Sequence, residues 1–255
     1  MAKRAGKIWI GTSGWVYKEW AEHFYPADWP KKDQFLFYVQ RFPTVEINAT
    51  FYRLPTPAMV RGWHKKAPAG FLFAVKGSRY ITHVKRLAET EPALQEYFRL
   101  IDGLKTRLGP VLWQLPPSFR FSPENHDRLA GFLDLLPDRH RHAVEFRHPS
   151  WLQPDVFALL KKHGAAHVWL SSQRMPVDQT LTADFIYLRF HGLKDGPSHN
   201  YTTAELKPWA RALADANRPA FVYFNNDLNT RAPFNALELM KLTPGSVAAF
   251  TGETG

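Results

Sequence analysis

Ionisable side chains in this sequence recur at the ends of short apolar segments. In Val45-Glu46-Ile47-Asn48 and in Val144-Glu145-Phe146-Arg147, polar and apolar residues alternate. Because residues two apart share one face of a strand, each segment is predicted to turn its polar residues to one side and its apolar residues to the other. The same alternation places eight more side chains on the polar side: Lys76, Gln114, Tyr187, Arg189, His191, Tyr223, Asn225 and Asp227.

These residue types suit acid–base chemistry on a phosphate-bearing substrate. Glu46 or Glu145 is predicted to act as general base and His191 as general acid, with Asp227 as a further catalytic acid group. Cationic side chains would hold phosphate oxygens. The predicted substrate-binding residues are Lys76, Arg147 and Arg189 as cations, Asn48, Gln114, Asn225 and Asn226 as orienting amides, and Trp15 and Tyr52 as stacking rings. The alternative is that the charged residues form structural ion pairs.

The sequence does not identify a cofactor. The four predicted catalytic residues are in principle ligands for a divalent ion, since carboxylate oxygens and imidazole nitrogens bind such metals. The polar positions supply few histidines and acids, however, so we expect no tightly bound metal. Lys76 is a possible Schiff-base lysine, although burial and a lowered pKa, which such a residue requires, cannot be read from sequence.

The segments that follow the apolar runs are rich in basic and aromatic residues. The stretch after Lys76 contains Arg79, His83, Lys85 and Arg86, and the stretch after His191 contains Lys194 and His199. Cations interleaved with rings suit a ligand that carries phosphate groups and flat bases. The alternative is that the aromatic residues only attach the loops to the rest of the protein.

The apolar runs are predicted to be eight strands of one sheet, alternating with helices. The predicted strands are Ile8–Ile10, Thr44–Ile47, Leu72–Val75, Val111–Gln114, Ala143–Phe146, His167–Leu170, Ile186–Phe190 and Phe221–Phe224. The predicted helices are Pro57–Lys66, Pro92–Leu104, Pro123–Leu136, Gln153–His163, Thr203–Ala216 and Phe234–Lys241. Eight such units in about 250 residues indicate a (β/α)8 TIM barrel, which is an α/β fold with a closed parallel sheet.

Composition limits the class of protein, the kinds of partner and the location that can be expected. The 255 residues are 45% hydrophobic and 22% charged, as is typical of a folded protein, and we predict one domain over residues 1–255. There is no cysteine, so a disulfide-linked partner is excluded. The formal net charge of +10 favours anionic partners. Without an apolar run long enough for a signal peptide or a membrane span, we expect a cytoplasmic protein that does not bind membranes.

Several motifs together resemble the YecE-like family, whose domain has no known function. They are Gly11–Trp15, Phe24–Pro26, Val45–Arg53, Ile81–His83, Gln114–Pro117, Glu145–Trp151, Arg189–Gly192 and Phe224–Asp227. The resemblance extends over nearly the whole chain and implies a TIM barrel. It implies no reaction, and the similarity of this barrel to endonuclease-IV-like enzymes is an analogy of fold alone.

The sequence therefore leaves three functional hypotheses. The first is a protein that binds a phosphate-containing substrate or, as a phosphoester hydrolase, hydrolyses it, with nucleic acid or a nucleotide preferred over a phosphorylated small molecule. The second is an isomerase or lyase that acts on a sugar or sugar phosphate and uses the same residues. The third is a non-catalytic module that binds nucleic acid through its basic loops.

Overall fold

Eight parallel strands form the centre of the computed structural model, which describes residues 6–21 and 23–249. The strands are β1 (Ile8–Thr12), β2 (Thr44–Ile47), β3 (Leu72–Lys76), β4 (Leu108–Gln114), β5 (His142–Glu145), β6 (Ala166–Ser171), β7 (Ile186–Phe190) and β8 (Ala220–Phe224). Each strand pairs with the next in sequence from β2 to β8, and β8 pairs with β1. The predicted (β/α)8 TIM-barrel class is confirmed.

Helices connect the strands and cover the outside of the sheet. In the described part of the chain they are α1 (Gln34–Val39), α2 (Ala49–Tyr52), α3 (Pro57–Lys66), α4 (Glu91–Ile101), α5 (Pro123–Asp134), α6 (Pro154–Lys162), α7 (Thr203–Ala216) and α8 (Arg231–Leu242). Their first residues follow from local chemistry. Ser122 caps α5 by accepting from the Asn125 amide, and Thr202 and Glu205 form a reciprocal capping box at α7.

The barrel closes between β1 and β2 through a tyrosine hydroxyl. The Tyr38 hydroxyl accepts from the Thr12 amide at 3.0 Å and donates to the Thr44 carbonyl at 3.0 Å. Beyond it, Ser13 and Glu46 form a single parallel bridge. Gly11 lies beside this junction, where an added Cβ atom would come within 2.1 Å of the Thr44 carbonyl oxygen. The chain therefore needs glycine here to bring the two strands together.

Alternate strand residues separate the inside of the barrel from the helix layer. The inner cluster contains the small residues Ala74, Ala143 and Ala166 together with Phe221 and Tyr223. Val45 and Ile47 belong instead to the larger cluster beneath the helices. This is the alternation predicted from the sequence, and it leaves Glu46 inside the barrel. Among the described residues, no helix is long and apolar enough to cross a membrane.

Candidate functional site

Polar side chains from several strands meet at the carboxyl-terminal end of the barrel. They come from the ends of β2, β3, β4, β5, β7 and β8, which share one end because the strands are parallel. The interacting side chains predicted from the sequence are Glu46, Asn48, Gln114, Glu145, Arg147, Arg189, His191 and Asn225. In TIM barrels this is the end that carries the chemistry.

Arg189 connects the two buried carboxylates. Its guanidinium donates from Nη2 to Glu46 Oε1 and from Nη1 to Glu145 Oε2, each at 2.7 Å. Glu46 also accepts from the Ser13 hydroxyl and the Tyr187 hydroxyl, each at 2.6 Å. Arg189 and both glutamates are fully buried. Every oxygen of Glu46 is therefore engaged by a donor from the protein.

The second carboxylate, Glu145, is held between two arginines. Its Oε1 accepts from Arg147 Nε while its Oε2 accepts from Arg189. Burial alone would raise the pKa of Glu145, but the charges of Arg147 and Arg189 outweigh it and hold the pKa well below its ordinary value. Burial would lower the pKa of Arg189, and the two glutamates reverse this. Glu145 and Arg189 are therefore both charged near neutral pH.

His191 is neutral and its protonation pattern is set by its neighbours. Burial, then the charges of Arg147 and Arg189, lower its pKa to about 3. Its Nε2 lies 2.9 Å from Arg147 Nη2 and 2.9 Å from Arg189 Nη1, and both of these atoms can only donate. Nε2 must therefore accept, which places the ring proton on Nδ1, 3.0 Å from the Asn225 amide group.

That proton orders a chain of amides toward the mouth of the barrel. In the structure Asn225 Nδ2 lies 3.0 Å from His191 Nδ1, and Asn48 Nδ2 donates to Asn225 Oδ1 at 3.4 Å. A proton on Nδ1 requires the oxygen and nitrogen of both amides to exchange places, so that the Asn225 oxygen faces the ring and the Asn225 nitrogen faces the Asn48 oxygen. This orientation gives the buried Asn48 oxygen the donor it otherwise lacks. The Asn48 nitrogen is then available to an acceptor outside the network.

Lys76 lies next to this network without a carboxylate partner of its own. Its Nζ lies 4.2 Å from the centre of the Phe51 ring, and no ion pair among the described residues includes it. The backbone carbonyl of Lys76 accepts from the Thr50 hydroxyl at 2.7 Å and the Tyr97 hydroxyl at 3.0 Å, which fix its position. Burial, then the charge of Arg189, lower the pKa of Lys76 to about 8.

The predicted acid–base roles do not fit these contacts. A general base needs a free lone pair facing the substrate, and the oxygens of Glu46 and Glu145 accept from protein donors instead. A general acid at Nε2 of His191 needs a proton that this neutral ring carries on Nδ1. The contacts pair Glu46 with Arg189, and Glu145 with Arg189 and Arg147, as the alternative of structural ion pairs expects; the catalytic roles of these residues stay predictions.

The other predicted site residues lie apart from the network. Asn226 was expected to bind substrate, but it is fully buried on the opposite side of its strand end and donates to the His199 carbonyl and to Asn235, each at 2.8 Å. Asn226 is thus directed away from the network, because it is out of phase with Asn225, and its predicted role in substrate binding is not supported by these contacts. Asp227 accepts from Trp20 Nε1 at 2.6 Å, and burial raises its pKa to about 7.

The two predicted stacking residues differ in exposure. Trp15 is half-buried and packs against Phe35 and Trp63, with ring centres 5.2 Å and 6.3 Å apart. Its ring therefore belongs mainly to the packing of the rim. Tyr52 is 79% exposed and contacts Phe51, the ring beneath Lys76. Tyr52 is the ring that remains accessible to a ligand.

Two site residues were missed by the sequence analysis. Ser13, whose hydroxyl donates to Glu46, continues the inward alternation of Trp9 and Gly11 on β1, so the strand pattern contained the signal. Phe51, which lies under the Lys76 ammonium, is in the short helix α2. No strand pattern extends that far, so its place could not be predicted.

The basic loops are partly engaged within the protein. After β3 a π-helical turn, Tyr80–Val84, is followed by Arg86 and Leu87 at φ +50° and +68°. Lys85 pairs with Glu89 at 2.9 Å, and Arg86 donates to the Ser118 hydroxyl at 3.0 Å. In the other loop His199 is buried, 3.3 Å from Glu205, while Lys194 is exposed. Arg79 is also exposed.

A wide cleft lies beside the network rather than over it. It has a volume of about 1180 Å³ and runs between the loops after β1 and β8. Tyr17, Lys18, Lys31, Arg231 and Phe234 are among its lining residues.

Among the described residues, no three or more His, Asp or Glu side chains are grouped so that they could hold a metal ion.

Comparison with known proteins gives consistent matches over most of the chain. A family model described as "Protein of unknown function DUF72" matches residues 9–252. The UPF0759 protein YecE of Escherichia coli strain K12 is 30% identical over 213 residues, covering 74% of this chain and 75% of that protein. The UPF0759 protein YunF of Bacillus subtilis strain 168 is 27% identical, covering 92% of this chain and 94% of that protein.

Solved structures share the architecture. The crystal structure of a DUF72 family protein from Thermotoga maritima has a TM-score of 0.85 and 29% identity, covering 92% of this chain and 98% of that one. A DUF72 family protein from Enterococcus faecalis has a TM-score of 0.80 at 22% identity, covering 92% and 95%, which supports the fold alone.

Proposed function

Because this chain belongs to the DUF72 family of proteins of unknown function, we propose its activity from its own site: it binds a small phosphorylated ligand at the carboxyl-terminal end of the barrel. The observation that carries the proposal is the charge of the site. Glu46 and Glu145 are balanced by Arg147 and Arg189, and the ammonium of Lys76 is left over. A recessed cation without a counter-ion is stabilised by a bound anion.

The donors around Lys76 suit phosphate oxygens. The Arg147 side chain is 20% exposed, so part of its guanidinium reaches the mouth while Nε holds Glu145. The Asn48 amide ends the hydrogen-bonded chain that starts at His191. An ammonium, a guanidinium and an amide are the kinds of donors that bind phosphate groups in proteins.

Binding is better supported than phosphoester hydrolysis. Activation of a water molecule needs a base with an available lone pair, and both glutamates are saturated by protein donors. A small ligand is also better supported than a nucleic acid, because Lys76 is only 8% exposed and offers little surface to a large polyanion.

Isothermal titration calorimetry with dihydroxyacetone phosphate, inorganic phosphate and uncharged dihydroxyacetone tests the proposal. We expect the two anions to bind and the uncharged compound not to bind. Lys76→Met is expected to weaken anion binding by roughly tenfold or more, the loss of one charge-assisted contact. Lys161→Met removes an exposed lysine of α6 and serves as the matched control. Equal binding by Lys76→Met and wild type would refute the proposal.

A further inference from the structure

Lys76 has properties that anion binding alone does not require. Its side chain is buried and leaves the end of β3, where Thr50 and Tyr97 hold its backbone carbonyl. A lysine that served only as a structural cation would be expected to pair with one of the two nearby glutamates. Both glutamates pair with arginines instead, and the ammonium lies on the Phe51 ring.

Burial of Lys76 favours its neutral amine. Burial is the main cause that lowers the pKa of Lys76 to about 8, and the charge of Arg189 is the next. The charges of Glu145 and Glu46 act in the opposite direction, and that of Arg147 lowers the pKa further. At pH 7 the neutral fraction of such an amine is roughly 300 times that of an ordinary lysine. A neutral amine is the form that attacks a carbonyl carbon.

We propose, building on the anion-binding function above, that Lys76 Nζ forms an imine with the carbonyl group of a phosphorylated aldehyde or ketone bound at the mouth of the barrel. Nitrogen attacks the carbonyl carbon, and the C–O π electrons move to oxygen to give a carbinolamine. The C–O bond then breaks and oxygen leaves as water. A protonated lysine and a carbonyl thus give a protonated imine and one water, so atoms and charge balance.

The neighbouring side chains supply the other requirements of this step. Arg147 is partly exposed and offers donors for the phosphate group of the ligand. His83 contacts the same Phe51 ring as Lys76, with ring centres 4.9 Å apart. Burial, then the charge of Lys76, lower the pKa of His83 to about 4, so its imidazole is neutral and able to carry a proton from nitrogen to oxygen.

Reductive trapping tests the imine. The full-length protein is incubated with dihydroxyacetone phosphate, glyceraldehyde 3-phosphate or uncharged dihydroxyacetone, with sodium cyanoborohydride present, and the modified lysine is located by peptide mass spectrometry. We expect the phosphorylated compounds to modify Lys76 at least about tenfold faster than Lys161, following the difference in neutral amine. Uncharged dihydroxyacetone is expected to give far less adduct, because it lacks the anionic group.

Lys76→Arg separates the two proposals. Arginine keeps the positive charge for anion binding but has no amine that forms an imine. We therefore expect this variant to bind dihydroxyacetone phosphate more weakly than wild type but more tightly than Lys76→Met in calorimetry, and to lose the adduct at position 76. If wild type binds the phosphorylated compounds but only surface lysines are trapped, the imine is overturned and anion binding stands. If there is neither binding nor adduct, both proposals fail.

A measurement without any ligand provides a further check. Competitive acetylation with acetic anhydride, followed across pH 6 to about 11, compares the reactivity of Lys76 with that of Lys161. We expect Lys76 to reach half of its maximal rate about two pH units below the ordinary lysine value of 10.5. A midpoint shared by the two lysines, together with no adduct trapped at Lys76, would overturn the proposal.

Discussion

Arg189 holds two buried carboxylates with one guanidinium. Burying charges is costly in free energy unless each one is paired and its hydrogen-bonding capacity is met. Here the Ser13 and Tyr187 hydroxyls supply the remaining hydrogen-bond donors to Glu46, and Arg147 supplies the remaining donor to Glu145. The buried charges of the network are therefore paired, and the two carboxylates fix the orientation of the Arg147 and Arg189 guanidinium groups.

Glu145→Gln is expected to destabilise the protein by about 3–5 kcal/mol at neutral pH, the cost of breaking a buried ion pair from one side. The depressed pKa of Glu145 gives this effect a defined pH dependence. Its contribution is complete above pH 4.5, the ordinary value, and is lost as pH falls below it because the unfolded chain then binds the proton first. Urea unfolding of both proteins across pH 3 to about 7 measures the difference.

Glu96→Gln is the matched control for that measurement. Glu96 pairs with Arg99 at 2.6 Å on the surface of α4, and we expect its replacement to leave stability close to wild type. If Glu145→Gln is equally neutral, the buried network does not support the fold, and Glu145 regains its predicted role as a catalytic base.

Lys76→Met is expected to increase the free energy of unfolding at pH 7, by up to about 3 kcal/mol. The pKa of Lys76 is lowered from 10.5 to about 8 in the folded protein. Below pH 8 both states carry the charge, and the folded state bears the full cost of burying it. Between pH 8 and 10.5 the folded protein releases the proton first, so the advantage of Lys76→Met shrinks as pH rises. Denaturant unfolding at pH 7, 9 and about 10.5 checks this.

If replacing the buried charge by Lys76→Met stabilises the protein, Lys76 is a residue that is kept for function at the expense of stability. The loss of its contact with Phe51 works in the opposite direction and reduces the gain. A variant less stable than wild type across the whole pH range would instead identify Lys76 as a structural cation.

At the level of elements, the junction of β1 and β2 is the weakest part of the barrel ladder. The strands share one bridge, and the Tyr38 hydroxyl joins the Thr12 amide to the Thr44 carbonyl. Tyr38→Phe leaves both buried groups without this partner and is expected to cost about 1–3 kcal/mol. Hydrogen exchange at the Thr12 amide should accelerate more than exchange elsewhere in β1.

Tyr80→Phe is the control for the closure of the barrel. Tyr80 is 50% exposed, and its hydroxyl makes no hydrogen bond among the described residues, so this change is expected to leave stability and exchange unaltered. Unchanged exchange at Thr12 in Tyr38→Phe would show that the strands close without the hydroxyl.

For the elements with clear local signals, the sequence predicted the first and last residues correctly. Strands Thr44–Ile47 and Ile186–Phe190 and helices Pro57–Lys66 and Thr203–Ala216 have the bounds that alternation and capping indicated. Helix α1 (Gln34–Val39) was missed. Five of its six residues are buried, so it has no polar face to give a helical period.

The sequence predicted which side chains meet at the end of the barrel, but not which contacts each of them makes there. Strand alternation brings Glu46, Glu145 and Arg189 to one end of the barrel because it depends on local geometry alone. Saturation of the carboxylates depends on contacts across the barrel, such as the one between Tyr187 and Glu46, which are 141 positions apart. No pattern within a strand contains that information.

At the scale of the whole molecule, the charge of +10 could act on a ligand in two ways. A long-range field attracts polyanions to exposed cations and is screened by salt, with a Debye length of about 10 Å at 0.1 M. Direct contact with a recessed group such as Lys76 is screened far less. Salt dependence therefore distinguishes a nucleic acid on the basic loops from a small anion in the barrel mouth.

Replacing Arg79, Lys85 and Arg86 with alanine is expected to separate these two kinds of binding. The variant should bind dihydroxyacetone phosphate like wild type, because none of the three residues belongs to the buried network. If a single-stranded oligonucleotide binds to these loops, the variant flattens the slope of log affinity against log salt by up to three contacts, each contributing about 0.7 to 0.9. Lys85 already pairs with Glu89, so a loss of about two contacts is the expected value.

Fluorescence anisotropy of a labelled oligonucleotide across a salt series makes this comparison, with replacement of Lys161, Lys162 and Arg211 as a control of equal charge on the outer helices α6 and α7. A flattened slope only in the loop variant would establish a nucleic-acid surface on the basic loops. An equal effect of both variants would mean that net charge alone attracts the polyanion. The remaining outcome is that no oligonucleotide binding is detected at low salt while dihydroxyacetone phosphate binds in a Lys76-dependent manner. The barrel mouth would then be the ligand site, because Lys76 and not the basic loops would bind the phosphate group.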